Sequence, residues 1–261
     1  MRGAALLRRV PSRPLSSAPC AATICAMTAE HDVLGHRLRL ITPEQPLYTA
    51  NAEELDALVC GEPWWAFCWP GSFALADCIQ RRPELVRGKN VLDVASGCGI
   101  AALAALEAGA RRVTVNEIDP WALDAVTINA RRSDHPSVVS AEADGRLLLC
   151  QKNLVGCAGE ELGDVDVLLG GDICYEQPLA SQMREWLRLL LGRSQPPLTL
   201  IGDPGRPAFV ETFASTEGEQ AFEGRGLVME AMHRVALEEK LVADTSHGLH
   251  TGCVWRAKLR E

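Results

Sequence analysis

From Lys89 onward the sequence alternates between two kinds of segment, and this alternation constrains the fold more than any other feature. Short apolar runs at Asn90–Ala95, Arg112–Asn116, Val138–Ala141, Val165–Leu169 and Leu198–Ile201 read as strands. Between them, Ile100–Ala108, Pro120–Arg132 and Glu176–Leu191 carry apolar residues at helical spacing, with Asp119 placed to cap the second and Gly109 to stop the first. A further helix is expected over Ala208–Phe222. Strand and helix in turn imply a parallel sheet covered on both faces. Leu227–Leu237 and Thr251–Leu259 then follow as strands without a helix between them, which implies an antiparallel C-terminal hairpin at one edge. Upstream, His36–Thr42 alternates as a half-buried strand does, and Asn51 is placed to cap a short helix over Ala52–Val59. Ser72–Arg81 reads as a helix that Arg82-Pro83 ends.

Composition narrows the class. The chain has 261 residues, 47% of them hydrophobic, enough for one domain with a sizeable core and too many for a disordered chain. The net charge of −8 disfavours a nucleic-acid binder driven by global charge. No uncharged apolar run reaches the roughly 18 residues that span a bilayer, so no membrane insertion is expected. The first 28 residues differ from the rest. They carry Arg2, Arg8, Arg9 and Arg13, no acid, and many Ala, Leu and Ser, the composition of a mitochondrial transit peptide. The expected organisation is a leader over 1–28 and one domain over 29–261, with an N-terminal extension to about residue 71 and residence in the mitochondrial matrix. The ten cysteines form no C-x-x-C pair and several lie in apolar runs, which suits a reducing compartment. His247, His250 and Cys253 are a sparse ligand run without a fourth member nearby, and no metal site is expected.

The chemistry concentrates where strands end. Asp93-Val94-Ala95-Ser96-Gly97-Cys98-Gly99 closes the first strand of the alternation and opens a helix, and its glycines allow a sharp turn and close approach to a ligand. Glu117 ends the next strand, 20 residues after Gly97, where a carboxylate can accept hydrogen bonds from two ribose hydroxyls. Asp93 would repel a pyrophosphate and attract an ammonium or sulfonium group, which sets the loop apart from a dinucleotide site. Pro63–Gly71 gathers three of the six tryptophans, as either a core knot or a lid over a ligand.

This D-x-x-S-G-C-G loop with its ribose carboxylate resembles that of the seven-strand S-adenosylmethionine methyltransferases. Gly171-Asp172-Ile173-Cys174-Tyr175 resembles the D-x-x-Y element of the protein-lysine branch of that fold. Together, W-P-G at 69–71, V-R-G-K-N-V-L-D at 86–93, S-G-C-G at 96–99, N-E-I-D-P at 116–120, G-D-I-C-Y at 171–175 and I-G-D-P-G-R-P at 201–207 resemble the electron-transfer flavoprotein β-subunit lysine methyltransferases over roughly residues 36–258. The resemblance implies a Rossmann-like, seven-stranded, mostly parallel sheet and S-adenosyl-L-methionine as cofactor. It implies that Asp93, Ser96, Gly97 and Gly99 meet the amino-acid end of the donor, Glu117 its ribose, Asp144 its adenine, and that Trp69 covers it. Asp172 would hold the incoming lysine amine and Tyr175 would wall its path. The implied partner is the flavoprotein β subunit as protein substrate, with no nucleic acid, and a monomeric chain is expected. Read from their own context, Asp144 also suits a turn before Gly145, and Asp172 and Tyr175 suit a helix cap and a packed ring. A methyltransferase for another protein or small molecule, a donor-binding regulator without catalysis and a nicotinamide dehydrogenase remain as alternatives.

Overall fold

A computed structural model describes residues 19–45, 48–51, 53–55, 62–157, 159–213, 221–224, 226–237 and 250–260. Most of the expected leader, most of the helix expected over 52–59, residues 214–220 of that expected over 208–222, and His247 lie outside the described residues; Ala221 and Phe222, expected to end that helix, lie in a strand instead. The described elements begin with helix α1 (Pro19–Met27) and an antiparallel hairpin of β1 (Ala29–Val33) and β2 (His36–Leu40). Its turn runs through Leu34 and Gly35, both at positive φ, as a two-residue hairpin turn requires. Asn51 accepts hydrogen bonds from the amides of Glu53 and Glu54, and Glu54 accepts one from the amide of Asn51, a reciprocal cap at the expected helix start.

The body then alternates as the sequence implies. It comprises α2 (Pro70–Arg81), β3 (Asn90–Val94), α3 (Ile100–Glu107), β4 (Arg112–Asn116), α4 (Pro120–Arg131), α5 (Pro136–Val139), β5 (Leu147–Cys150), β6 (Val167–Gly171), α6 (Leu179–Leu191), β7 (Leu198–Asp203), α7 (Pro207–Phe213), β8 (Ala221–Gly224), β9 (Leu227–Ala236) and β10 (Thr251–Leu259). The strands form one sheet in the order β5-β4-β3-β6-β7-β10-β9-β8. The five strands from β5 to β7 are parallel, and β10, β9 and β8 continue antiparallel. The expected seven strands thus gain a short eighth at the edge. Apolar side chains of α2, α3 and α4 fill one face of the sheet, and those of α6 and α7 fill the other.

The strand expected over Val138–Ala141 is corrected. Pro136 fixes φ at a helical first position after an extended His135, and residues 136–139 make one helical turn. The third parallel strand is instead Leu147-Leu148-Leu149-Cys150, unbranched residues whose local preference is helical but which pair with Val113–Asn116 of β4. Asp144 therefore precedes the strand it was expected to follow.

From β3 the chain moves outward through β4 to β5, then returns to β6 on the other side and continues to β7. The carboxyl ends of β3 and β6 flank the switch point, where ligands bind in open α/β sheets. Helix α2 reaches this rim through backbone contact. A Cβ at Gly202 would lie 2.1 Å from the carbonyl oxygen of Gly71, and one at Gly252 would lie 2.4 Å from that of Pro70. Backbone stands on the far side of each contact and cannot yield as a side chain does. Gly202→Ala is expected to destabilise the fold by about 2–4 kcal/mol, as a core overpacked against backbone does, and chemical denaturation will read this as a lowered midpoint.

Candidate active site

The two central strands end alike. Ala95 follows β3 at φ 52° and Asp172 follows β6 at φ 55°, left-handed conformations that cost a non-glycine residue free energy and concentrate at functional sites. After β3, Gly97 (φ 57°) and Gly99 (φ 85°) complete the turn into α3. The place of a Cβ at Gly97 is open, whereas a Cβ at Gly99 would sit 2.8 Å from Val126 of α4. One glycine thus leaves room on the crevice side, and the other lets loop and helix pack. Asp93 lies buried beneath this turn and accepts a hydrogen bond from the Ser96 hydroxyl. Burial pushes its carboxyl up to about 7, partly opposed by Ser96 and aided by the charge of Glu117. Asp93 therefore shapes the loop from behind, through Ser96.

Glu117 ends β4 as expected, and its Oε1 accepts a hydrogen bond from the amide of Gly97 at 2.8 Å. Burial raises its carboxyl above the ordinary value against that amide's pull. Ile118 beside it is 67% exposed, an apolar side chain presented to solvent between two acids. The sequence carries one signal for it, its place directly after the acid that ends β4. Asp144 is not in this group. It lies before β5, on the opposite rim of the sheet, more than half exposed and 3.6 Å from Arg146, so the adenine role expected of it is withdrawn. At the carboxyl end of β5 the chain instead turns through Lys152, whose carbonyl, like that of Cys150, accepts from the Asn116 side chain.

The tryptophan segment is packed on one side and exposed on the other. Trp65 is buried and stacks on Trp121 at the start of α4, with ring centroids 6.4 Å apart and planes 11° from parallel. Trp64 is half exposed and accepts a hydrogen bond at its carbonyl from the Trp69 indole at 2.8 Å. The Cys68 thiol meets the Cys98 thiol of the glycine loop, and this hydrogen bond and burial hold its pKa well above the usual thiol range. The lid thus touches the loop directly.

Asp172 ties the remaining pieces together. Its Oδ2 accepts from the amides of Gly71 and Ser72 in the first turn of α2, 2.5 and 3.1 Å away. Its Oδ1 accepts from Nε and one terminal nitrogen of Arg206, at 3.1 and 2.7 Å. The same guanidinium lies 5.4 Å from the centre of the Trp69 ring. Both carboxylate oxygens are spent inside the protein, which makes Asp172 a positioning residue here rather than an open acceptor for an amine. Tyr175 is half exposed on the rim, and burial together with Glu176 and Glu117 raises its hydroxyl pKa, so it stays protonated. Asp203, at the end of β7, accepts from the amides of Gly205 and Arg206 through Oδ1, while its buried Oδ2 has no hydrogen-bond partner. Among the described residues no group of three or more His, Cys, Asp or Glu is arranged to hold a metal, and no helix is long and apolar enough to cross a membrane.

Residues 75–155, which hold the second half of α2, the glycine loop and Glu117, match the family of ribosomal protein L11 methyltransferase (PrmA). The electron transfer flavoprotein beta subunit lysine methyltransferase of Danio rerio is 31% identical over 221 residues, 84% of this chain and 74% of that protein. The chain belongs to the family of electron transfer flavoprotein beta subunit lysine methyltransferases. Relatives of the same name from Homo sapiens (35% over 176 residues) and Xenopus laevis (38% over 174 residues) each align with 66% of this chain. These alignments span 60% and 64% of the relatives' own lengths.

Asp203 generates a pH prediction. Burial and the charge of Asp172 push its carboxyl up to about 8, against about 3.9 for an unfolded aspartate. The folded state holds this proton longer than the unfolded state does, so stability from this group is full at acid pH and is lost as pH rises towards 8. Asp203→Asn keeps a neutral acceptor for the two amides. It is expected to gain stability relative to the unsubstituted protein from about pH 4 to pH 8 and to level off above, in denaturation curves taken across that range.

Proposed function

We propose that the chain is an S-adenosylmethionine-dependent protein-lysine N-methyltransferase that acts on the electron transfer flavoprotein β subunit. The observation that carries the reading is the Gly97–Glu117 pairing at the switch point, which sets a partly buried carboxylate beside an open glycine turn. The names borne by the relatives support the substrate.

The residues fit the donor. Open space at Gly97 admits the amino-acid portion, Asp93 and Ser96 offer a negative and hydroxylic wall for its ammonium, and Glu117 can accept from two ribose hydroxyls. Ile118 offers an apolar surface for the base, the place once expected of Asp144. Trp69, held by Trp64 and Arg206, closes over the site. When bound, the donor supplies an electrophilic sulfonium methyl group that a neutral amine displaces in line. The chain's own work is to align that amine and to strip its proton. Leaving water on entry lowers a lysine ammonium's pKa, and the protonated Tyr175 hydroxyl on the rim can orient the amine. Asp172 fixes the start of α2 and the Arg206 loop, and so the width of the entry. The acidic surface suits a basic loop on a protein substrate. The arginine-rich, acid-free stretch ahead of α1 supports delivery to the mitochondrial matrix.

Methyl transfer from labelled donor to the purified flavoprotein β subunit, with methyl-lysine located by mass spectrometry, tests this reading. Glu117→Ala is expected to weaken donor binding about a hundredfold, the loss of two hydrogen bonds to a charged group. Transfer by that variant at the unsubstituted rate and affinity contradicts the assignment. Donor binding without transfer to any lysine favours the regulator instead.

A further inference from the structure

Helix α1 falls within the stretch whose composition reads as a leader, yet it packs as part of the body. Its side chains rest on α4. Ile24 is 0% exposed and shares a cluster with Ile41, Trp65, Ala66, Phe67 and Ala122, which joins the helix to the lid and to the helix after Glu117. The amide of Ile41 donates to the carbonyl of Ala66 at 2.8 Å, a second tie between this region and the lid. Nine residues do not hold a helix in water by themselves, so these contacts maintain it.

The helix lacks a basic residue in its last turn, and Arg39 of β2 supplies the missing cation. Its guanidinium donates to the carbonyls of Cys25 and Thr28 and, at 3.0 Å, to the Thr28 hydroxyl. That hydroxyl donates in turn to the Ile24 carbonyl at 2.6 Å. The amide of Arg39 donates to Oδ1 of Asn129 at 2.8 Å, and Nδ2 of Asn129 donates to the carbonyl of Cys98 at 2.9 Å. Asn129 is fully buried in the apolar interior of α4 and spends both ends of its amide on these two bonds. A continuous path therefore runs from the end of α1 through Arg39 and Asn129 to the glycine loop, while Ile24 braces the tryptophan lid from the other side.

We infer that residues 19–28 belong to the working protein and support its donor site, with Ile24 and Arg39 as positioning residues for the lid and the glycine loop. The donor-binding arm of the test rests on the function proposed above; the arm that follows backbone order does not. In the full chain, Ile24→Asn and Arg39→Met are each expected to weaken S-adenosylhomocysteine binding roughly tenfold by calorimetry, because preorganisation is lost. Both are expected to speed amide hydrogen exchange at residues 64–69 and 97–99. Ile24→Val, which keeps the packing, and Ala26→Ser, on the exposed side of α1, are expected to stay within about twofold. A structural role confined to α1 would lower the melting temperature and leave affinity and lid exchange unchanged below it. That result, in variants folded by circular dichroism, overturns the inference. If Ile24→Asn does not fold, Arg39→Met decides, since its side chain lies at the surface of the cluster. If the full chain binds no donor, the function proposed above fails, and the exchange data alone decide this inference.

Discussion

The site depends on the buried carboxylate of Asp172. It sits at the end of a central strand in a conformation unfavourable for a side chain, and it holds two other stretches of chain. Two amides of α2 and the guanidinium of Arg206 converge on its two oxygens. A buried ion pair gives little net stability against hydrophobic packing, because desolvation offsets most of the attraction. Its value here is geometric. Helix α2 can approach the strand ends only where Gly71, Gly202 and Gly252 allow backbone to touch backbone, and Asp172 caps the helix at the point of contact. Arg206, fixed by the same carboxylate, braces Trp69. Burial first, and then the charge of Asp172, push the carboxyl of the neighbouring Asp203 up to about 8.

A second set of contacts organises the other half of the crevice. The glycine loop is held from behind by Asp93 and Ser96, from the side by Glu117, and from below by Asn129. The lid meets this loop through the Cys68 and Cys98 thiols and meets α4 through stacked Trp65 and Trp121. The glycine loop, the tryptophan segment and Glu117 thus form one connected body.

Much of this was legible in the sequence because local and global signals agreed. β4 and β10 follow their apolar runs to the residue, and Asp119 caps α4 through the Trp121 amide as expected. Glu117 and the glycine loop meet because strand pairing fixes their register. The failures have physical causes. Leu147–Cys150 carries no strand preference and becomes one through its parallel neighbour, which is why Asp144 was assigned to the wrong rim. Asp172 is marked as functional by its place, but only the folded chain shows that its oxygens are already taken by residues 71, 72 and 206. Arg39 and Asn129 bear no motif at all; their roles arise from contacts across 90 residues of chain. The charge pattern that marks the first 28 residues continues without a break into α1, so composition does not register that the helix is packed.

The central claim is that the crevice between the ends of β3, β4 and β6 is a methyl-donor site with Glu117 at the ribose. A crystal structure of the full chain with S-adenosylhomocysteine tests it most directly. The account predicts the ribose hydroxyls within hydrogen-bond distance of Glu117, the amino-acid end against the turn at Gly97, and Trp69 over the ligand. Ligand density elsewhere on the molecule, or a ribose that leaves Glu117 bonded only to Gly97, would contradict it.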